Sequence, residues 1–158
     1  MKFNKFSKKQ RQVMKWWTKN SPFKDRDILI CDGAVRSGKT LSMSMSYTFW
    51  AMEHYQDKNF IFAGVTISAL KRNVTNDLVE TLKGLKQFHV KEHISEAYID
   101  VTYQQKKNRF YLFGADNVKS QNKIQGLTAA GAFLDEAALM SEDYIKQVQA
   151  RLSVEGAK

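Results

Sequence analysis

Residues 33 to 40 read Gly33-Ala34-Val35-Arg36-Ser37-Gly38-Lys39-Thr40, a complete G-x-x-x-x-G-K-[ST] phosphate loop. A triphosphate tail is dense negative charge. Holding it takes inward-facing backbone N–H groups, a cation and a hydroxyl, and this octapeptide supplies each. Gly33 and Gly38 let the backbone close on the phosphates. Lys39 is expected to reach the β and γ oxygens, and Thr40 to give Mg²⁺ a hydroxyl ligand. A helix opening near Gly38 would add its positive dipole end. Arg36, inside the loop, would stabilise γ-phosphate charge in cis; the plainer reading is an outward guanidinium.

Hydrolysis needs a second set of groups: a carboxylate for Mg²⁺ and another to polarise water. Residues 129–136 read Ala-Ala-Gly-Ala-Phe-Leu-Asp-Glu, a small apolar strand ending in two acids. Asp135 is expected to hold Mg²⁺, through water, and Glu136 to polarise the attacking water. Adjacent residues on an extended chain face opposite sides, which suits two roles. The alternative is a pair of solvated acids at a strand end.

Several elements must position these groups. Asp27 to Asp32 is expected to form a buried strand feeding the loop, with Cys31 as a small apolar residue on it. Leu41 to Glu53 should form the helix after the loop. A basic helix is expected over 6–19, capped by Ser7 and packed through Val13, Met14, Trp16 and Trp17; Asn20-Ser21-Pro22 should end it. Residues 59–66 read as a second buried strand. Leu70, Val74, Leu78 and Leu82 mark a helix over 68–85. Residues 97–103 and 109–113 read as strands around a polar loop, and 142–151 as a last helix. His89 and His93 lack a metal-binding pattern and read as surface residues. Strands alternating with helices imply an α/β fold with a largely parallel sheet, as a single domain over residues 1–158.

The 158 residues carry 25 Lys and Arg against 16 Asp and Glu, a net charge of +9. Much of it lies before residue 27. Such a balance fits an anionic partner, most plausibly nucleic acid, or a solvated basic face. The sequence has no apolar stretch of membrane-spanning length and no apolar segment after the first lysines that would make a secretory signal. The single Cys31 cannot form an internal disulfide.

With these motifs placed, the chain resembles the ATPase half of phage terminase large subunits, close to the PBSX-type branch. The resemblance rests on Phe6-Ser7-Lys8-Lys9-Gln10, the phosphate loop, Ile124-Gln125-Gly126-Leu127-Thr128 and Phe133-Leu134-Asp135-Glu136-Ala137-Ala138. It implies a P-loop NTPase three-layer sandwich of the ASCE type. It assigns Gln10 to adenine and Arg36 to the γ-phosphate, and it gives Lys39, Thr40, Asp135 and Glu136 the roles derived above. Its cofactors are ATP and Mg²⁺. Its partners are double-stranded DNA, a small terminase subunit and a portal protein, in a homo-oligomeric ring working in the bacterial host cytoplasm. Arg151 falls where the family often has a basic residue, with no role assigned. Family members continue past the equivalent of Lys158, with a coupling strand between the phosphate-loop strand and the Asp135 strand, and then a nuclease domain. The fold is therefore expected to be incomplete at its C-terminal side, without nuclease activity. A helicase-like ATPase, or a binding module that keeps nucleotide without turnover, are the alternatives.

Overall fold

The apolar run Asn-Phe-Ile-Phe-Ala-Gly forms strand β1 (Asn59–Gly64), and its alternation sets the architecture. Phe60 and Phe62 point into one hydrophobic cluster, Ile61 and Ala63 into another on the opposite face. The computed structural model describes residues 6–33, 37–116 and 124–158. Around β1 stand β2 (Phe88–His93), β3 (Tyr98–Tyr103), β4 (Lys106–Gly114) and β5 (Ala132–Leu134), in the order β2-β3-β4-β1-β5. β1 runs parallel to β4 and β5, whereas β3 runs against both β2 and β4. Four of the five strands thus point one way, so the expected sheet is present with an antiparallel hairpin built in.

Helices cover both faces. On the Phe60 side lie α2 (Lys39–His54) and a continuous helical stretch made of α3 (Ile67–Leu70), a π turn (Lys71–Thr75) and α4 (Asn76–Gly84). On the Ile61 side lies α5 (Glu142–Gln149), through Tyr144 and Val148. α2 is buried along most of its length because serines and Thr48 alternate with large apolar residues. The hydroxyls are satisfied: Ser46 Oγ donates to the Val13 carbonyl (2.8 Å), Thr48 Oγ1 to the Ser44 carbonyl (2.9 Å) and Tyr47 Oη to the Ile61 carbonyl (3.1 Å). Asn108 of β4 fixes the other end of α2. Its amide donates to the carbonyls of Ala51 (3.2 Å), which also accepts the Tyr55 N–H, and of Tyr55 (2.9 Å), past the helix end.

Several expectations need correction. The run 27–32 is not a strand: Ile28 is 65% and Ile30 84% exposed, and Cys31 is partly exposed rather than buried on a strand. A strand persists only where its backbone groups find a neighbour. Among the described residues the sheet ends at β5, whose outer edge is met by Lys158: Ala132 N–H donates to the Lys158 carbonyl (2.9 Å). The Lys158 ammonium in turn reaches the carbonyls of Lys24 (3.1 Å) and Arg26 (2.7 Å), just ahead of that run.

The first helix, α1 (Lys8–Met14), stops well before Pro22 and gives way to turns, though Ser7 caps it as expected. Trp16 is buried and Trp17 packs on the core. Residues 88–93 form a strand missed by sequence reading. On it His89 is exposed, as expected, whereas His93 is partly buried and stacks on Tyr98 (4.2 Å between centroids). The loop expected over 104–108 is only the pair Gln104-Gln105, both with positive φ, as a type I′ hairpin turn requires.

Candidate nucleotide-binding site

The phosphate side is organised by the start of α2. Gly38 is its N-cap and sits in the left-handed region (φ 73°), which glycine adopts without a Cβ penalty. A Cβ there would also lie 2.6 Å from Gln10 Nε2. Gln10 is the second positioning residue. Its Nε2 donates to the Ser37 carbonyl (2.9 Å), while its Oε1 accepts from Ser7 N–H (2.8 Å) in a capping box. One side chain therefore closes the N-terminus of α1 and ties it to the loop. Lys39 Nζ donates to the Gly33 carbonyl. Thr40 follows in the first turn of α2, partly exposed. Ala34, Val35 and Arg36 lie outside the described residues. Burial pushes the Cys31 thiol up, and the nearby Lys39 charge draws it partly back. The thiol stays protonated and inert at neutral pH.

The carboxylate side is organised by the sheet. Asp135 follows the last residue of β5, and its N–H donates to the Ala63 carbonyl of β1 (2.8 Å), which fixes it at the C-terminal end of two parallel strands. Burial, and then the Glu136 charge, hold the Asp135 carboxyl above its ordinary value, while the amide of Asn73 in the π turn draws it partly back. Glu136 is exposed and left-handed (φ 56°, ψ 44°), a conformation that costs a non-glycine residue about 1–2 kcal/mol and turns the chain sharply after Asp135. Thr40 carries a hydroxyl and Asp135 a half-buried carboxylate, the oxygen-donor types that a hard divalent cation takes.

Arg151 plays a different part. Its Nη1 donates to the Gln125 carbonyl (2.6 Å) and its own carbonyl accepts from Ala129 N–H (2.9 Å), so it braces the turn that leads into β5. Asn108 was not singled out by sequence reasoning. It stands alone in its pattern, and only the folded neighbour gives it a task.

A sheet sandwiched between helices, with a Gly-Lys-Thr helix start and an Asp-Glu pair closing a parallel strand, is the architecture of a P-loop ATPase domain. Comparison narrows the class. The family described as "Terminase large subunit, T4likevirus-type, N-terminal" matches residues 30–157, and the chain belongs to the terminase large subunits. The large terminase of a thermophilic bacteriophage is 50% identical, with a TM-score of 0.95 over 98% of this chain and 38% of that one. A structure of the same phage's large terminase in complex with ATP-γ-S is 49% identical, with a TM-score of 0.90 over 98% of this chain and 36% of the other. The large terminase ATPase domain of Thermus phage P74-26 shares the fold at 16% identity, with a TM-score of 0.55 over 75% of this chain and 51% of that one. The chain therefore spans well under half the length of the terminase it matches at 50% identity. The comparison with curated proteins gives no match.

Proposed function

We propose that this chain is the ATP-hydrolysing motor portion of a phage terminase large subunit, powering movement of double-stranded DNA into a procapsid. The observation that carries the reading is the placement of Asp135 and Glu136 at the end of β5, beside β1, in a chain whose α2 opens on Gly38-Lys39-Thr40. Support for the nucleotide comes from the thermophilic phage's large terminase, solved with ADP and with ATP-γ-S. In this reading Lys39 neutralises the β and γ oxygens, with Gly33 to Gly38 wrapping the phosphates. Thr40, and Asp135 through water, would hold Mg²⁺, which would supply positive charge to the phosphoryl oxygens. Glu136 accepts a hydrogen bond from the attacking water and takes up its proton, and Arg36 stabilises the leaving charge in cis. Gln10, already tied to Ser37, contacts adenine. The small terminase subunit, the portal and further copies of the chain in a ring are the proposed partners, in the host cytoplasm. Among the described residues no helix is long and apolar enough to cross a membrane.

The test pairs binding with turnover. Mg·ATP should raise the melting temperature of the wild type and of Glu136→Gln, but not of Lys39→Ala. Hydrolysis should fall by about 10²–10⁴-fold in Glu136→Gln. Equal thermal shifts in all three proteins would refute the site. A binding module without turnover is the second reading, favoured by the exposed, unpaired run at 27–32. Nucleotide-dependent stabilisation with no phosphate release would select it.

A further inference from the structure

We propose that the outer face of β2, β3 and β4 is a contact surface for the phosphate backbone of duplex DNA, built on cations gathered around Asp100. The proposal rests on the reading of the chain as a DNA-moving motor and names the surface that meets the DNA.

Alternation along the strands separates two faces. Phe88, Ile99, Val101 and Phe110 point into the core on the Phe60 side, so the residues between them face the other way. On that other side α5 packs at Ile61, Ala63 and Phe113, and its apolar cluster takes in no residue of β2 or β3. Lys91, Asp100 and Arg109 stand opposite one another across the three strands.

The charge on this face has one sign. Its alternate positions, within 89–93, 98–102 and 107–111, hold a single acid, Asp100, which is 5% exposed. Arg109 Nε donates to Asp100 Oδ1 (2.8 Å), and Lys107 Nζ lies 2.9 Å from Oδ2. One cation would balance the carboxylate; with Lys91 as well, three permanent cations leave two positive charges in excess. Lys91 alone would be explained as a guard on an edge strand, but Lys107 and Arg109 stand on β4, inside the sheet. These two are held yet accessible: the Arg109 side chain is 35% and the Lys107 side chain 52% exposed. A guanidinium already fixed on a carboxylate loses little further freedom on meeting a phosphate.

Tyr98 favours duplex over single strand. His93 stacks on its ring from β2 (4.2 Å between centroids), and Arg109 lies over it from β4 (4.0 Å to the centroid). The ring is flanked from both neighbouring strands and offers no platform for an unpaired base. The face presents cations and hydroxyls, the donors that contact a duplex backbone whatever its sequence.

The experiment follows the anisotropy of a labelled random-sequence duplex of about 20 base pairs, and of one of its strands alone, over a range of salt. The proteins are wild type, Lys91→Gln/Lys107→Gln and a charge-matched control on α1, Lys8→Gln/Lys9→Gln. Arg109 is left in place so that Asp100 keeps a partner. Wild type is expected to bind duplex more tightly than single strand. The sheet variant should lose about 10-fold in duplex affinity, with a plot of log K against log salt shallower by about 2, and the α1 control no more than about 3-fold. Equal losses in the two variants would mean that binding follows total charge, and would overturn the proposal. Tighter binding of the single strand would overturn the duplex assignment. Displacement of the duplex by a poly-glutamate peptide at equal affinity would assign the face to an acidic protein segment instead. No duplex binding by wild type would overturn the proposal, and the thermal response to Mg·ATP of wild type and Lys39→Ala, read alongside, tells whether the motor site fails with it. A melt of each variant confirms that the fold is retained.

Discussion

Two stretches of this chain look alike on paper: Asp27-Ile-Leu-Ile-Cys-Asp32 ahead of the phosphate loop, and Ala130-Gly-Ala-Phe-Leu-Asp135 ahead of the acidic pair. Both are short apolar runs ending in aspartate. The second becomes β5, hydrogen-bonded to β1 and buried at Phe133. The first stays outside the described sheet with its isoleucines in solvent. Composition therefore does not make a strand; an available edge does. The two halves of the site are accordingly held by different means. Asp135 is set by the sheet, whereas the loop's described anchors are the start of α2 and the Gln10 bond to Ser37.

The sharpest way to break this comparison is to truncate both runs. Phe133→Ala should cost about 3–5 kcal/mol in denaturant unfolding, as for a buried aromatic, and Ile30→Ala no more than about 0.5 kcal/mol. Equal losses would mean that the two runs are packed alike. Gly38→Ala should cost about 1–2 kcal/mol, because alanine resists the left-handed region and its Cβ would press on Gln10. An unchanged unfolding midpoint there would show that α2 does not need this cap to hold the loop.

The smallest expected effect concerns charge. The Asp135 carboxyl is held above its ordinary value by burial and by Glu136, so the folded state binds that proton more tightly than the unfolded chain does. This group's contribution to stability therefore falls as pH rises from the unfolded value through the folded one, and stays lower above it. Asp135→Asn should melt above wild type at pH 7 without Mg²⁺, by about 2 °C or less, and the gap should close in acid. A variant that melts lower would mean that the Asn73 amide outweighs the burial. The Asp100 carboxyl behaves oppositely. Burial works to raise it, but hydrogen bonds from Arg109 and Lys107 outweigh that and hold it low, as befits a carboxylate already paired with two cations.

Much of this was legible before folding because it is local. The phosphate loop, the helix after it, the hairpin around Gln104 and the acidic strand end each declare themselves within about ten residues. What escaped depends on distant partners. The run 27–32 needed an edge that no window of its own sequence reveals. β2, reading Phe-His-Val-Lys-Glu-His, carries too few apolar residues to announce a strand and exists because β3 offers it an edge. Asn108 acts across 57 residues of sequence, to Ala51.

The bond from Gln10 to Ser37 has one more consequence. None of the seven residues of α1 is fully buried, and a helix that short does not persist in water by itself. Its order therefore depends on what holds its two ends: Gln10 at one, Trp16 and Trp17 just beyond the other. Trp17 donates to Ser46 Oγ (3.2 Å) and meets the edge of His54, while Trp16 lies under the Lys158 ammonium. The phosphate loop and the two indoles thus hold opposite ends of one short helix, so a release of Gln10 would leave α1 anchored at its tryptophan end alone.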